Sequence, residues 1–165
     1  MAFATGKMHP PAYSLGIDIM KVQLPQRDSY RSFVDIFQDQ LTPLERELVS
    51  PAVPADEGLR RFFWMWTMKE AYTKALGLGL GFDFSRIEFD VKADVVRVDG
   101  QVPSGWKFHK FEVTEGGKPY VGVVAELTGG SETVVVSESE PKPWLKVFEA
   151  VPFVERAMEE LVQTE

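Results

Sequence analysis

The chain contains no cysteine, which excludes disulfides and thiolate metal sites and suits a reducing compartment. Histidine is nearly as scarce. The two, His9 and His109, lie far apart with no metal-ligand spacing, and both read as structural or surface groups. Positive charge is the rarer sign, with 18 Lys and Arg against 25 Asp and Glu and a formal net charge of -7. A nucleic-acid or anionic-membrane surface would call for a basic patch, so neither partner is expected, and any anionic ligand must be met locally by a few lysines and a metal. Long apolar runs are missing as well. No segment approaches the ~20 apolar residues that cross a bilayer, and the N-terminus shows no signal-peptide core. The expected location is the cytoplasm.

What is present is core material. The 165 residues are 44% hydrophobic and include 12 Phe, 4 Trp and 6 Met, enough for one compact domain with a real core. Residues 1–14, with Pro10 and Pro11 and no periodicity, read as a loose leader. Leu15 to Val22 reads as a short apolar strand. Asp28 is a plausible N-cap for a helix over Ser29 to Gln38 that buries Tyr30, Phe33, Val34 and Phe37. Thr42, Pro43 and Glu45 form a capping box that opens a short helix to about Val49. A long helix follows from about Glu57 to Leu76, stopped by Gly77. Beyond it Gly79 and Gly81 continue an alternating glycine pattern. These glycines follow a helix, whereas a phosphate loop precedes one, so they read as a turn.

From Ser85 the period becomes two. Ile87, Phe89 and Val91 alternate with polar residues, Val96 and Val98 lead into the Asp99-Gly100 turn signal, and Lys107 to Val113 alternates too. Tyr120 to Leu127 is almost continuously apolar and should be the central strand of an antiparallel sheet. Residues 128–142 are either a linker or an edge strand around Thr133 to Val136. Residues 143–165, with Trp144, Val147, Phe148, Val151, Val154, Met158 and Leu161 near helical spacing, read as a C-terminal helical segment interrupted by Pro152. The class is therefore α+β, a strand followed by about three helices and an antiparallel sheet.

Two stretches carry chemistry. In Trp66-Thr67-Met68-Lys69-Glu70-Ala71-Tyr72-Thr73-Lys74-Ala75-Leu76-Gly77, the second half of an amphipathic helix, Glu70 and Lys74 project from one side a turn apart. By spacing alone they are an ordinary surface pair worth about 0.3 to 0.5 kcal/mol. In Leu15-Gly16-Ile17-Asp18-Ile19-Met20-Lys21-Val22, however, Asp18 stands between isoleucines in a strand. A carboxylate there is costly to bury unless it is paired or holds a metal.

Gly16-Ile17-Asp18-Ile19, a spacer of about fifty residues and the stretch from Trp66 to Phe82 together resemble the 4'-phosphopantetheinyl transferases. More narrowly, they are similar to the surfactin-type enzymes and their eukaryotic broad-specificity relatives of the aminoadipate-semialdehyde dehydrogenase type. The resemblance implies transfer of phosphopantetheine from coenzyme A to a serine of an acyl, peptidyl or aminoacyl carrier protein, with Mg2+ on the pyrophosphate. It implies Asp18 and Glu70 as metal ligands, with Glu70 in some proposals the general base. It implies Lys74, and Lys69 beside it, as coenzyme A contacts, with Lys74 also stabilising charge on the leaving group. One step along a helix turns Lys69 about 100° from Glu70, so a supporting or surface lysine is the alternative reading of it.

Met20 departs from the bacterial Asp-x-Glu pattern. The residue two along a strand returns to the same face, and a thioether is a poor magnesium ligand. The eukaryotic relatives carry Met there, with water completing the shell. The resemblance covers about residues 15–127 and corresponds to the second half of the family fold. Half of the coenzyme A site is then expected to be missing unless self-association rebuilds it. The alternatives are a catalytically incomplete fragment or carrier-protein-binding module that keeps the fold, and a structural ion-pair cluster in an unrelated α+β protein.

Overall fold

A computed structural model describes residues 14–25, 29–78, 81–137 and 148–162. The leader through residue 13, the Asp28 cap, Gly79, residues 138–142, Trp144 and Val147 lie outside the described residues, as does the side chain of Leu161. Among the described residues the order is β1 (Leu15–Lys21), α1 (Tyr30–Ile36), α2 (Pro43–Leu48), α3 (Ala55–Leu76), β2 (Ile87–Asp90), β3 (Val95–Val98), β4 (Trp106–Glu115), β5 (Lys118–Leu127), β6 (Val134–Ser137) and α4 (Ala150–Val162). The architecture is α+β.

Four strands make the main sheet in the order β1-β5-β4-β6. The apolar run of β5 is explained by its place between β1 and β4, both antiparallel to it. The sheet departs from the expected all-antiparallel pattern at two points. β6 pairs parallel to β4, and β2 with β3 forms a separate hairpin. The second follows from the first, because β5 and β6 occupy both edges of β4 and leave none for β3.

α1 is capped by Ser29, whose hydroxyl accepts the Ser32 N–H at 3.1 Å, and it ends at Ile36, short of the expected Gln38. A 3-10 turn over Gln38–Gln40 follows. The Thr42/Glu45 capping box forms at α2. α3 ends on Gly77 with φ of 68°, a left-handed cap that suits glycine. It is buried more widely than the amphipathic pattern of the motif implies. Its buried residues run from Gly58 to Ala75 on nearly every side, because β1 and β5 pack on one flank and α2 and β2 on another. Phe62, Met65 and Met68 of α3 join Phe108, Val121, Val123, Ala125, Ile87 and Phe89 in one core. Pro152 does not interrupt α4. It sits in the first turn, where a helix N–H has no intrahelical acceptor in any case.

Candidate functional site

β1 pairs with β5 so that Gly16, Asp18 and Met20 stand opposite Ala125, Val123 and Val121. Those three β5 side chains are wholly buried. Cross-strand partners share a face, so Asp18 points inward, toward α3. The contact there is backbone on backbone. A β-carbon added to Gly16 would lie 2.0 Å from the Ala71 carbonyl oxygen and 2.4 Å from the Ala75 nitrogen. This approach lets the last two turns of α3 meet the strand and brings residues more than fifty positions apart in sequence into one cluster.

Lys74 Nζ donates to Asp18 Oδ1 at 2.6 Å and lies 3.9 Å from Glu70 Oε2. The Asp18 side chain is 10% exposed, Glu70 19% and Lys74 46%. The two acids are the more buried groups and the ammonium the more exposed one. Burial, and then the negative charge of Asp18, push the Glu70 carboxyl above its ordinary range, against the pull of Lys74. Two carboxylates thus share one lysine. Asp18 Oδ2 is buried and has no hydrogen-bond partner, and an orphaned carboxylate oxygen beside a second acid is the geometry that a hard cation relieves. Among the described residues no group of three or more His, Asp or Glu could hold a metal. The described residues therefore offer Asp18 and Glu70 as oxygen ligands here, and Mg2+ commonly takes one or two carboxylates plus phosphate and water. The donor set fits that ion.

Met20 is half-buried and packs on the hydrophobic core, a use that suits a thioether better than ligation. Lys69 is a correction. Its side chain has no exposed surface, and its ammonium meets Glu45 Oε2 at 2.6 Å and the carbonyls of Gln40 and Phe84 at 2.8 and 3.0 Å. Neither a coenzyme A contact nor a surface lysine fits that placement. Its partner Glu45 was visible in the sequence only as a cap, since nothing in a capping box announces that the acid also faces inward. The close approach at Gly16 was equally hidden, although a glycine in an apolar strand is the signal for one.

Residues 14–125 match the family described as ACPS, the 4'-phosphopantetheinyl transferase superfamily. The chain is 49% identical over 166 residues to the 4'-phosphopantetheinyl transferase pptA of Paxillus involutus, an alignment that spans 98% of this chain and 62% of that protein. It is 31% identical over 155 residues to the human L-aminoadipate-semialdehyde dehydrogenase-phosphopantetheinyl transferase, covering 87% of this chain and 50% of the relative. The solved Chronobacterium ammoniagenes ACPS-CoA complex aligns with 69% of this chain and 96% of its own at 17% identity and a TM-score of 0.43. The chain belongs to the 4'-phosphopantetheinyl transferase superfamily. It spans between half and two thirds of the length of these curated relatives.

Proposed function

We propose that this chain moves the 4'-phosphopantetheine group of coenzyme A onto a serine hydroxyl of an acyl, peptidyl or aminoacyl carrier protein, with Mg2+ held by Asp18 and Glu70. The observation that carries the reading is the buried, unpartnered Asp18 Oδ2 in a cluster with Glu70 and Lys74, at positions that match the family's motifs. The bound ion would supply neutralisation of the pyrophosphate charge.

The rest falls to the chain's own side chains. Asp18 is fixed by strand pairing and keeps one oxygen free. Lys74, the most exposed of the three, sits on a flexible stem and can exchange Asp18 for a phosphate oxygen, where its charge stabilises the departing adenosine 3',5'-bisphosphate. Glu70, with its raised proton affinity, is suited to accept the serine proton as the serine oxygen bonds to phosphorus and the P–O bond to the nucleotide breaks. The same oxygen chemistry makes it a ligand, and both roles use the position it holds. Self-association would supply the remaining coenzyme A contacts for a chain of this length acting alone, in the cytoplasm.

The test is intact-mass analysis of an apo acyl carrier protein incubated with this chain, coenzyme A and Mg2+. The expected result is a mass gain of one phosphopantetheine arm, absent for Asp18→Ala. A second reading is a fold-keeping module that binds carrier protein without turnover. No mass gain from the folded chain, with a full-length relative active in parallel, together with no coenzyme A binding in Mg2+, would overturn the first reading, and carrier-protein binding by the same chain would then support the second.

A further inference from the structure

The ion pair between Lys69 and Glu45 is fully enclosed, with no exposed side-chain surface on either partner and 2.6 Å between Nζ and Oε2. Taking two charges out of water costs several kcal/mol per ion, and apolar side chains of similar volume often replace such a pair without loss of stability. Stability alone is therefore a poor account of it. Its directionality is a better one. Besides Glu45, the Lys69 ammonium donates to the Gln40 carbonyl before α2 and to the Phe84 carbonyl before β2. Glu45 Oε2 also accepts the Thr42 N–H at 2.9 Å, and Oε1 accepts the Phe89 N–H of β2 at 3.0 Å. Each charge thus fills its shell from elements that α3 must be aligned with.

With its stem wholly enclosed, a lysine whose head is held by three acceptors in three different segments restrains the rotation of its helix. The next residue is Glu70, about 100° further round, on the side that meets β1. A side-chain carboxylate lies roughly 6 Å from the helix axis, so a turn of about ten degrees would carry it about 1 Å. Misplacement on that scale is worth on the order of 100-fold in a site that depends on orientation.

We propose that Lys69, locked to Glu45, is a positioning residue that sets the rotation of α3 and thereby holds Glu70 and Lys74 at Asp18. This rests on the reading of Asp18 and Glu70 as cation ligands. Lys69 touches neither cation nor substrate; it acts through its neighbour.

The decisive variant is E45Q/K69M, in which the amide oxygen can still accept one of the two backbone N–H groups, of Thr42 or Phe89, and methionine keeps the volume, while both charges go. Thermal melting, Mn2+ affinity by electron paramagnetic resonance and a crystal structure are compared with the unaltered chain. Val96→Ala, a cavity in β3, serves as a control that lowers stability by packing alone. The expected result is a double variant that folds but binds Mn2+ about tenfold more weakly or worse, the scale seen when groups that orient metal ligands are removed, with the Glu70 carboxylate displaced. Val96→Ala should melt lower and bind Mn2+ as the parent does. A folded double variant with parental Mn2+ affinity and Glu70 in place would overturn the proposal. If the unaltered chain binds no Mn2+, the cation reading fails separately and the crystal structures decide. A displaced Glu70 and a broken Lys74–Asp18 contact then support positioning, and unchanged positions overturn it. Should the double variant not fold, Glu45→Gln alone, which keeps the ammonium and its two carbonyl acceptors, is read by the same criteria.

Discussion

Gly16 and Ala71 touch through their backbones, with no room for a side chain on the glycine: an added β-carbon would stand 2.0 Å from the Ala71 carbonyl oxygen. Gly16→Ala must therefore push α3 off β1 or shift the strand, since both colliding atoms are main chain. The expected cost is about 1 to 3 kcal/mol, the range for overpacking a tight interior, read as a lower urea midpoint at unchanged slope. Transfer activity should fall further than stability, because the displaced turn carries Glu70 and Lys74.

Glu70 gives a pH dependence with a defined sign. Its folded-state proton affinity is raised, by burial first and by Asp18 second, so over the interval between its unfolded and folded pKa the native state binds more protons than the unfolded one. Stability from this group therefore falls as pH rises through that interval and stays lower above it. Glu70→Gln should melt higher than the parent at neutral pH, with the difference closing as pH drops below the ordinary carboxylate range. Melting curves across pH check this, and a variant that is less stable at neutral pH would contradict it.

Thr42 has two tasks, capping α2 by accepting the Glu45 N–H and donating its hydroxyl to Glu88 at 3.0 Å. Thr42→Ala should cost about 1 to 2 kcal/mol, the upper half of the range for losing an N-cap. Calorimetry is the direct measurement. A loss of a few tenths would mean that water replaces the hydroxyl at this cap.

Phe108 is wholly buried on the inner face of the sheet, 5.9 Å from the Trp106 ring and 6.2 Å from Tyr72 by ring centres. Phe108→Ala should cost about 3 to 5 kcal/mol, enough to unfold a marginal domain. Chemical denaturation reads it, and the intermediate Phe108→Leu should recover most of the loss.

Much of this could be read from the chain, and the reasons are local. The Thr42/Glu45 box, the Gly77 stop and the alternation of Ile87 and Phe89 are short-range signals, and each appears where such signals place it. Asp18, Glu70 and Lys74 were legible as a set through the two motifs, and they are brought together. What could not be read was decided by neighbours distant in sequence. Lys69 offers the same local pattern whether it faces solvent or Glu45, and a difference of 24 positions separates it from the partner that settles the matter. Likewise β2 and β3 alternate as sheet strands should; that they stand apart from the main sheet depends on β6 having taken the last edge of β4.

The pairing of β1 with β5 also dictates when the site can exist. Leu15 stands opposite Glu126 and Lys21 opposite Tyr120, so the earliest strand waits for one of the latest. During synthesis Asp18 leaves the ribosome about a hundred residues before its strand has a partner, with the backbone N–H and C=O groups of β1 unpaired by β5 in the interval. At roughly 5 to 20 residues per second, that wait lasts several seconds. The nascent chain can form α3 long before it can pair β1 with β5 and bring Asp18 to Glu70 and Lys74, and chaperone occupancy on ribosome-bound chains should persist until residues beyond Leu127 have emerged.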